Sequence, residues 1–239
     1  MIDTHCHIDQ YSNPLDIANE CERKNILTIS VTNLPSHFEL GVKHLISHTK
    51  VRLALGMHPL MIEQFNSEWP IFLKNLDKTS YIGEIGLDFS REGFPTKDTQ
   101  LDALKQILSV LTAKKKILSL HSRRAEKEVL QNLTLYKVEA AIFHWYSGPL
   151  TLIDEICRAG YMFSINTAMV KSKSGQLIIK RIPQSHVLTE SDGPFIENNG
   201  GPVKPQDIQK VLHYLAIDWN TSFEQVEEII ASNFRRLLS

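Results

Sequence analysis

The sequence has few cysteines and lacks any long apolar run. Its three cysteines, Cys6, Cys21 and Cys157, are odd in number and far apart, which excludes a disulfide framework and predicts reduced thiols in a cytoplasmic protein. No apolar stretch is long enough to span a bilayer, and the first residues lack the basic and apolar segments of a secretory signal. We therefore expect no membrane association.

The chain also lacks a large net charge. Its 26 basic and 27 acidic side chains give a net charge of −1, which argues against a broadly basic surface for nucleic acid but leaves room for a local basic patch. With 239 residues, 42% of them hydrophobic, the chain can bury a large core without disulfides or a structural metal. No composition shift, repeat or low-complexity linker divides it, so we expect one domain over residues 1–239.

Short apolar runs alternate with amphipathic stretches along the whole length. Such runs predict eight strands, at residues 2–7, 26–32, 51–57, 80–88, 116–122, 138–144, 160–166 and 186–191. The clearest helix is predicted over residues 96–115, where leucines recur at three and four residues. Ser222 and Gln225 form a capping box that predicts the start of a C-terminal helix.

Alternating strands and helices predict an α/β fold with parallel strand pairing. Eight such units are most simply accommodated in a triosephosphate-isomerase-type (β/α)8 barrel with an extra C-terminal helix. A doubly wound open sheet is the alternative fold.

Histidines and carboxylates recur at the predicted strand ends. In the first strand, alternation of side chains puts Asp3, His5 and His7 on one face. Four further candidate ligands lie at or near the C-terminal ends of other strands: Glu84, His121, His144 and Asp192. Because those ends meet at one rim of a parallel barrel, we expect six of these residues, namely His5, His7 and the latter four, to form a metal site.

Each of these residues also has a simpler interpretation. A lone histidine at a strand end is more often hydrogen-bonded than bound to metal. However, burying an unpaired Glu84 in an apolar strand would cost several kcal/mol, roughly, and a bound cation would remove that cost. The joint placement of all six residues therefore favours metal binding.

Seven motifs in order match one family. They are DTHCHID at 3–9, GMHP at 56–59, GEIGLD at 83–88, HSR at 121–123, HWYSG at 144–148, TESDGP at 189–194 and NFRRLL at 233–238. Through them the chain resembles the TatD-like metal-dependent hydrolases along essentially its whole length. The segments CERKNI, HSRRAEKEVL and TESDGPF look most like the TatD-like member of the bacterial Qat anti-phage defence systems.

The resemblance implies a TIM-barrel fold, a binuclear metal centre and hydrolysis of phosphodiester bonds, typically as a magnesium-dependent DNase. By residue, it implies that His5, His7 and Asp192 bind one ion. His121 and His144 would bind the other, with Glu84 bridging the two. His58 matches the family's G-x-H-P histidine and would line the cleft.

One segment departs from the family pattern. The family commonly has a longer loop with an Arg-Asn-x-Pro element after its Asp-x-Pro motif, whereas FIENNGGPVKPQDI follows here. The departure lies on the side that would face substrate, so the resemblance does not carry nucleic-acid specificity across securely.

Several further roles follow from position. Asp192 is suited to act as a general base for a metal-activated water, and Asp88 and Asp3 could orient ligand imidazoles, with strand-end hydrogen bonding as the alternative. Arg123 could bind phosphate and Trp145 could stack on unpaired bases, with ordinary rim packing as the alternative for each. Four imidazoles with two carboxylates suit Zn2+ or Mn2+, while the family implies Mg2+.

Three functional hypotheses remain open from the sequence. The first is a metal-dependent nuclease acting on nucleic acid, with single-stranded DNA as the expected substrate. The second is a small-molecule amidohydrolase that uses the same activated water. The third is a partner-activated component of a defence assembly, whose partners in a Qat system would be an ATPase and a QueC-like protein.

Overall fold

The computed structural model describes residues 1–45, 47–198 and 200–238. Eight strands alternate with helices: β1 (Ile2–Cys6), β2 (Leu27–Ser30), β3 (Val51–Leu53), β4 (Tyr81–Gly86), β5 (Ile117–His121), β6 (Ala140–His144), β7 (Met162–Ile165) and β8 (Val187–Thr189). A short antiparallel hairpin of β9 (Glu197–Asn198) and β10 (Gly201–Pro202) follows.

The helices are α1 (Pro14–Arg23), α2 (Pro35–Leu45), α3 (Phe65–Asn75), α4 (Lys97–Leu111), α5 (Glu126–Leu135), α6 (Ile153–Arg158), α7 (Thr167–Lys171), α8 (Lys173–Arg181), α9 (Ile208–Asp218) and α10 (Phe223–Leu238). Long hydrophobic faces on the helices pack against strands that are buried on both sides, as in parallel sheets generally. In α4 the predicted stripe is buried through Leu104, Ile107, Leu108 and Leu111.

The strands close into the predicted barrel. Strands β1 to β3 pair in parallel order, as do β4 to β8. A parallel bridge between Leu55 and Ile82 joins the first group to the second. Between β8 and β1, the backbone N–H of Asp192 donates to the carbonyl of His5 (2.9 Å), and the Thr4 hydroxyl donates to the carbonyl of Thr189 (3.1 Å). The α/β barrel prediction is therefore confirmed.

Several predicted elements extend beyond the observed ones. Among them, β3 ends at Leu53 and β8 at Thr189, before the predicted ends at residues 57 and 191. Helix α4 ends at Leu111, because Thr112 has an extended ψ of 131° and Ala113 a φ of 63°. No helix in the described part of the chain is long and apolar enough to cross a membrane.

Helix α10 fastens the last barrel strand. Its predicted capping box is present: the Gln225 N–H donates to the Ser222 hydroxyl and the Ser222 N–H to the Gln225 side chain, both at 3.2 Å. Farther along, the buried Asn233 amide donates to the carbonyls of Gln184 and Val187, both at 2.8 Å. These bonds hold the start of β8, which leads to Asp192.

We predict that Asn233→Ala lowers the free energy of unfolding by about 2–3 kcal/mol, because two carbonyls lose their donor inside the protein. Urea denaturation followed by circular dichroism measures the change. The control is Ser232→Ala on the exposed side of the same helix, which should change stability by less than about 0.5 kcal/mol. Equal effects of the two substitutions would contradict the role of Asn233.

Candidate metal centre at the barrel rim

The six residues predicted as metal ligands lie together at the C-terminal rim. Strand β1 carries His5 and its end carries His7, β4 carries Glu84, β5 and β6 end in His121 and His144, and Asp192 follows β8. Five of the six are buried, and only the His121 side chain retains 16% exposure. Strands far apart in sequence therefore deliver their polar side chains to one place.

Glu84 is the centre of the cluster, and its two oxygens face different imidazoles. Oε2 lies 3.3 Å from Nε2 of His7 and 3.6 Å from Nε2 of His5. Oε1 lies 2.7 Å from Nδ1 of His121 and 3.0 Å from Nε2 of His144. This is the arrangement of a carboxylate that can be shared between two cations.

The donor atoms are spaced as ligands of common ions would be. The Nε2 atoms of His5 and His7 are 3.2 Å apart, and Oδ1 of Asp192 lies 3.7 Å from the first and 3.9 Å from the second. Two ligands that each lie about 2.0–2.2 Å from one ion are themselves about 3 Å apart. The set of imidazole and carboxylate donors therefore fits divalent metal ions.

The outward nitrogens of two imidazoles have hydrogen-bond partners, and that of a third faces a carboxylate. His5 Nδ1 lies 2.7 Å from the Ser119 hydroxyl, and His121 Nε2 lies 2.8 Å from Oδ2 of Asp88. His144 Nδ1 lies 3.6 Å from Oε1 of Glu190. Partners that accept a proton at the outward nitrogen leave the inward lone pair free for a cation.

The His58 ring is oriented in the opposite sense, because its outward nitrogen accepts a hydrogen bond instead of donating one. Its Nδ1 accepts a hydrogen bond from the backbone N–H of Leu60 (3.2 Å), at the start of the 3-10 turn Pro59–Gln64. In the neutral ring the proton then sits on Nε2, which lies 3.6 Å from Oε1 of Glu84. Although His58 is within ligand distance of Glu84 and His121, this tautomer suits a hydrogen-bond donor in the cleft rather than a metal ligand.

Asp88 and Asp3 differ in what they contact. Asp88 pairs with the His121 ring and accepts a bond from the backbone N–H of Ser90 (2.7 Å). Oδ1 of Asp3 instead accepts from the backbone N–H groups of His5 (3.2 Å) and Ser191 (2.9 Å). In the described chain Asp3 makes no bond to an imidazole, so its carboxylate ties β1 to the segment after β8.

The charges of the cluster are strongly coupled. The rings of His5 and His144 stack with centroids 3.8 Å apart, so both cannot be protonated. Burial lowers the pKa of His5 to about 3. Burial disfavours the charge on His144 too, but Glu84 and Glu190 hold the pKa of His144 well above its usual range. A cation bound here would offset the negative charges of Glu84 and Glu190, as the His144 proton does without it.

The pKa values of the two carboxylates, Glu84 and Asp192, are shifted in opposite directions. Burial disfavours the charge on Glu84, yet the imidazoles of His58 and His144 keep the pKa of Glu84 well below its usual range. Burial raises the pKa of Asp192 to about 7, which its histidine neighbours only partly oppose. The centre therefore offers one firmly ionised carboxylate and one that ionises near neutrality without metal.

Glu190 is the main residue that the sequence analysis missed. It is fully buried behind His144 and accepts hydrogen bonds from the Trp145 N–H (3.1 Å), the Asn166 amide (2.8 Å) and the Ser164 hydroxyl. Its place two residues before Asp192 in TESD was the available signal, although β8 ends at Thr189 and strand alternation does not extend to either residue. Ser119 was missed as well, and strand parity with His121 could have identified it.

Two residues at strand ends hold unusual backbone conformations. Asp192 has a φ of 48° and Trp145, directly after β6, a φ of 37°. Non-glycine residues in this region cost on the order of 1–3 kcal/mol and need support from their surroundings. The bond from Asp192 N–H to His5 and that from Trp145 N–H to Glu190 provide it. The conformations of Asp192 and Trp145 thereby direct the adjacent side chains toward the rim.

The predicted substrate-binding residues sit at the edge of the cluster. Trp145 is 38% exposed beside His144, and the His58 side chain is 14% exposed next to Glu84. Arg123 is exposed beyond the end of β5, and within the described residues its guanidinium makes no hydrogen bond or ion pair. The structure thus places Trp145 and His58 at the rim and leaves Arg123 without a fixed contact.

Comparison with known proteins identifies the family. The sequence profile described as TatD related DNase matches residues 2–239. The chain belongs to this family. It is therefore an enzyme of the TatD metal-dependent hydrolases.

Individual TatD relatives agree along most of the chain. An uncharacterized metal-dependent hydrolase of Methanocaldococcus jannaschii is 24% identical, over 97% of this chain and 94% of the relative. The 3'-5' ssDNA/RNA exonuclease TatD of Dickeya dadantii is 30% identical over 59% of this chain and 56% of the relative. The crystal structure of the TatD homolog YJJV from Escherichia coli superposes with a TM-score of 0.88 at 22% identity, covering 99% of this chain and 97% of that one.

We predict that Glu190→Ala destabilises the protein by about 3 kcal/mol, because three donors around a fully buried carboxylate lose their acceptor. Glu68→Ala is the matched control, since Glu68 is also buried but accepts a backbone bond from Ser36 alone (2.8 Å). Urea unfolding with a chelator present measures both effects. A Glu190→Ala cost no larger than that of Glu68→Ala would show that the network around Glu190 is weak.

Proposed function

We propose that this TatD enzyme is a nuclease that hydrolyses phosphodiester bonds of single-stranded DNA with two divalent ions bound at the rim. The main observation behind the proposal is that the two oxygens of Glu84 face different pairs of imidazoles. Oε2 faces His5 and His7, and Oε1 faces His121 and His144. In this proposal both oxygens of Glu84 would help to hold the ions. Asp192 completes the first ligand set because its Oδ1 lies on the side of His5 and His7.

Two divalent ions would supply Lewis acidity toward a phosphoryl group and lower the pKa of a water between them. The protein supplies the rest. Asp192 uses Oδ1 toward the ions and has Oδ2 left to accept the proton of the attacking water and return it to the leaving oxygen. His58 donates from Nε2 to a phosphoryl oxygen, in keeping with the bond that its Nδ1 accepts from Leu60.

The donor set admits Mg2+, Mn2+ or Zn2+. Four imidazoles favour Zn2+ or Mn2+, whereas the carboxylate oxygens of Glu84 and Asp192 are compatible with Mg2+. Ser119, Asp88 and Glu190 orient the ligand rings whichever ion is bound. Ion identity is therefore a matter for measurement on the purified protein.

We predict that Glu84→Gln loses at least one of two bound ions while keeping the fold, because the amide removes the charge that offsets them. Elemental analysis of the purified variant gives the ion count, and circular dichroism checks the fold. Glu68→Gln changes a buried glutamate outside the ligand cluster, so it is the control and should keep both ions. Two ions per chain in Glu84→Gln would exclude a bridging role.

Single-stranded DNA is proposed because the cluster is recessed and the chain has a net charge of −1. An intact duplex cannot easily bring a phosphate into a buried site, whereas a single strand or a frayed end can. The activity named for the Dickeya dadantii relative, on single-stranded DNA and RNA, is of the same kind. Trp145 and Arg123 at the rim would assist by stacking and by phosphate binding.

We predict metal-dependent cleavage of labelled single-stranded DNA in preference to duplex, with Asp192→Asn slowing the chemical step on the order of 100-fold. Gel assays with Mg2+, Mn2+ and Zn2+ in parallel measure both rates. The control is Asp98→Asn on the exposed face of α4, which should leave the rate unchanged. Cleavage by Asp192→Asn at the wild-type rate would sink the proposed mechanism.

The two other hypotheses correspond to distinct outcomes of this assay. No cleavage by the metal-loaded wild type, together with hydrolysis of small amides, would indicate an amidohydrolase. No activity on either class would indicate that a partner is required.

We also propose that the protein is the TatD-like component of a Qat anti-phage defence system. The supporting segments are CERKNI, HSRRAEKEVL and TESDGPF. In that setting genes for an ATPase and a QueC-like protein would neighbour its gene, and the protein would act in the cytoplasm, where its three free cysteines stay reduced. Purification of the three proteins together would test the association.

A further inference from the structure

Phe195 is a large apolar side chain left open to solvent beside the buried cluster. It is 55% exposed, and the centroid of its ring lies 4.8 Å from that of His7, with the ring planes 79° apart. Single exposed aromatic residues are ordinary on a protein surface. This one differs because it contacts a residue that on its other side faces Glu84.

The backbone that carries this ring is held in place by hydrogen bonds and close packing. The N–H groups of Phe195 and Ile196 both donate to the carbonyl of Asp192, at 3.0 and 3.3 Å, and Ile196 is buried. The turn is also close-packed at Gly193, where a Cβ would lie 1.9 Å from the Tyr11 hydroxyl. A ligand that stacks on Phe195 would therefore pay little for ordering the protein.

We propose that Phe195 is the stacking platform for the nucleobase adjacent to the scissile phosphate, and that it makes the enzyme select unpaired nucleotides. The inference rests on the proposed nuclease function. A ring in contact with His7 lies close enough to the ion site to be reached by the base of the nucleotide bound there. In a duplex both faces of a base are covered by its neighbours, so an unpaired or terminal nucleotide is the one that can offer a face.

The chemistry of the rim supports a base as the occupant. Stacking on an aromatic ring works for every base, since each has a π-face, and it supplements phosphate contacts where the protein has no long basic track. With a net charge of −1 the chain is poorly suited to binding DNA through overall charge. An aromatic ring beside the reacting phosphate supplies binding energy that the overall charge of the chain does not.

Phe94 provides a matched control on the same rim. It follows β4 and is 54% exposed, which is nearly the exposure of Phe195. The ammonium of Lys97, however, lies 4.8 Å from its ring centroid, so one face of that ring already has a cation partner. Replacing Phe94 removes equal apolar surface without removing a ring that contacts the cluster.

The test compares two labelled single-stranded oligonucleotides. One is intact, and the other carries abasic tetrahydrofuran residues on both sides of the cleaved bond. For the intact strand we expect Phe195→Ala to raise KM about 10-fold, the size of one lost stacking contact, and Phe195→Trp to restore it. Phe195→Leu, which keeps an apolar side chain but not a π-face, should behave like Phe195→Ala. Phe94→Ala should match the wild type.

The abasic strand separates stacking from a structural effect on His7. Wild type and Phe195→Ala should cleave it with the same KM, and both should hold the same number of ions by elemental analysis. An equal loss by Phe195→Ala on both strands, or rescue by leucine, would overturn the inference while leaving the nuclease function intact. If the wild type cleaves neither strand, the nuclease proposal fails. In that case, the fluorescence anisotropy of the labelled intact strand measures its binding and tests the inference. Equal binding by wild type and Phe195→Ala would refute it.

Discussion

The rim is organised around the burial of one carboxylate. Glu84 is 2% exposed, and a charge buried so deeply costs several kcal/mol, roughly, unless its surroundings compensate it. The imidazoles around it provide that compensation, and each then needs a partner for its second nitrogen. Ser119 and Asp88 meet this need for two of them, and Glu190 lies 3.6 Å from the second nitrogen of a third, His144. Glu190 in turn accepts hydrogen bonds from donors beyond the cluster. The polar network thus extends outward from Glu84 until it reaches the backbone.

Barrel closure makes this network possible. The histidines of β1 and the carboxylates after β8 come from opposite ends of the chain, and they meet because β8 lies beside β1. Asp3 contributes directly to the closure through its bond to the Ser191 N–H, and Asn233 holds the far end of β8. Stability and chemistry are therefore linked, since loosening β8 would displace Asp192 and Glu190 together.

The rim divides into a part that is held tightly and a part that is open. Buried ligands and their partners are fixed by several bonds each, as a site that must bind ions in defined geometry requires. Arg123 and Trp145 lie at the exposed edge and make few contacts. The exposed face of the Phe195 ring lies there too. Residues 195–208, where the sequence leads us to expect a departure from the TatD pattern, begin in this open part. Substrate preference can therefore change there without disturbing the ion site.

Much of this was predictable from sequence because strands impose simple rules. Alternation within β1 put His5 and His7 on one face, and the parallel arrangement brought the ends of β4, β5 and β6 to the same rim. The rules stop at the strand ends. Arg123 shares the parity of His121 but lies beyond β5, where alternation no longer determines direction.

Other features were decided by the tertiary structure alone. The partners of Glu190 come from β7, from the turn after β6 and from Asn166, and no periodicity along the chain reports such distances. The tautomer of His58 depends on one backbone N–H at the start of a turn. By itself the sequence determined the strand order, the polar residue types at the rim and the expectation that they converge. Which nitrogen carries a proton and which oxygen faces which ring were decided by packing, because these depend on separations of a few tenths of an ångström.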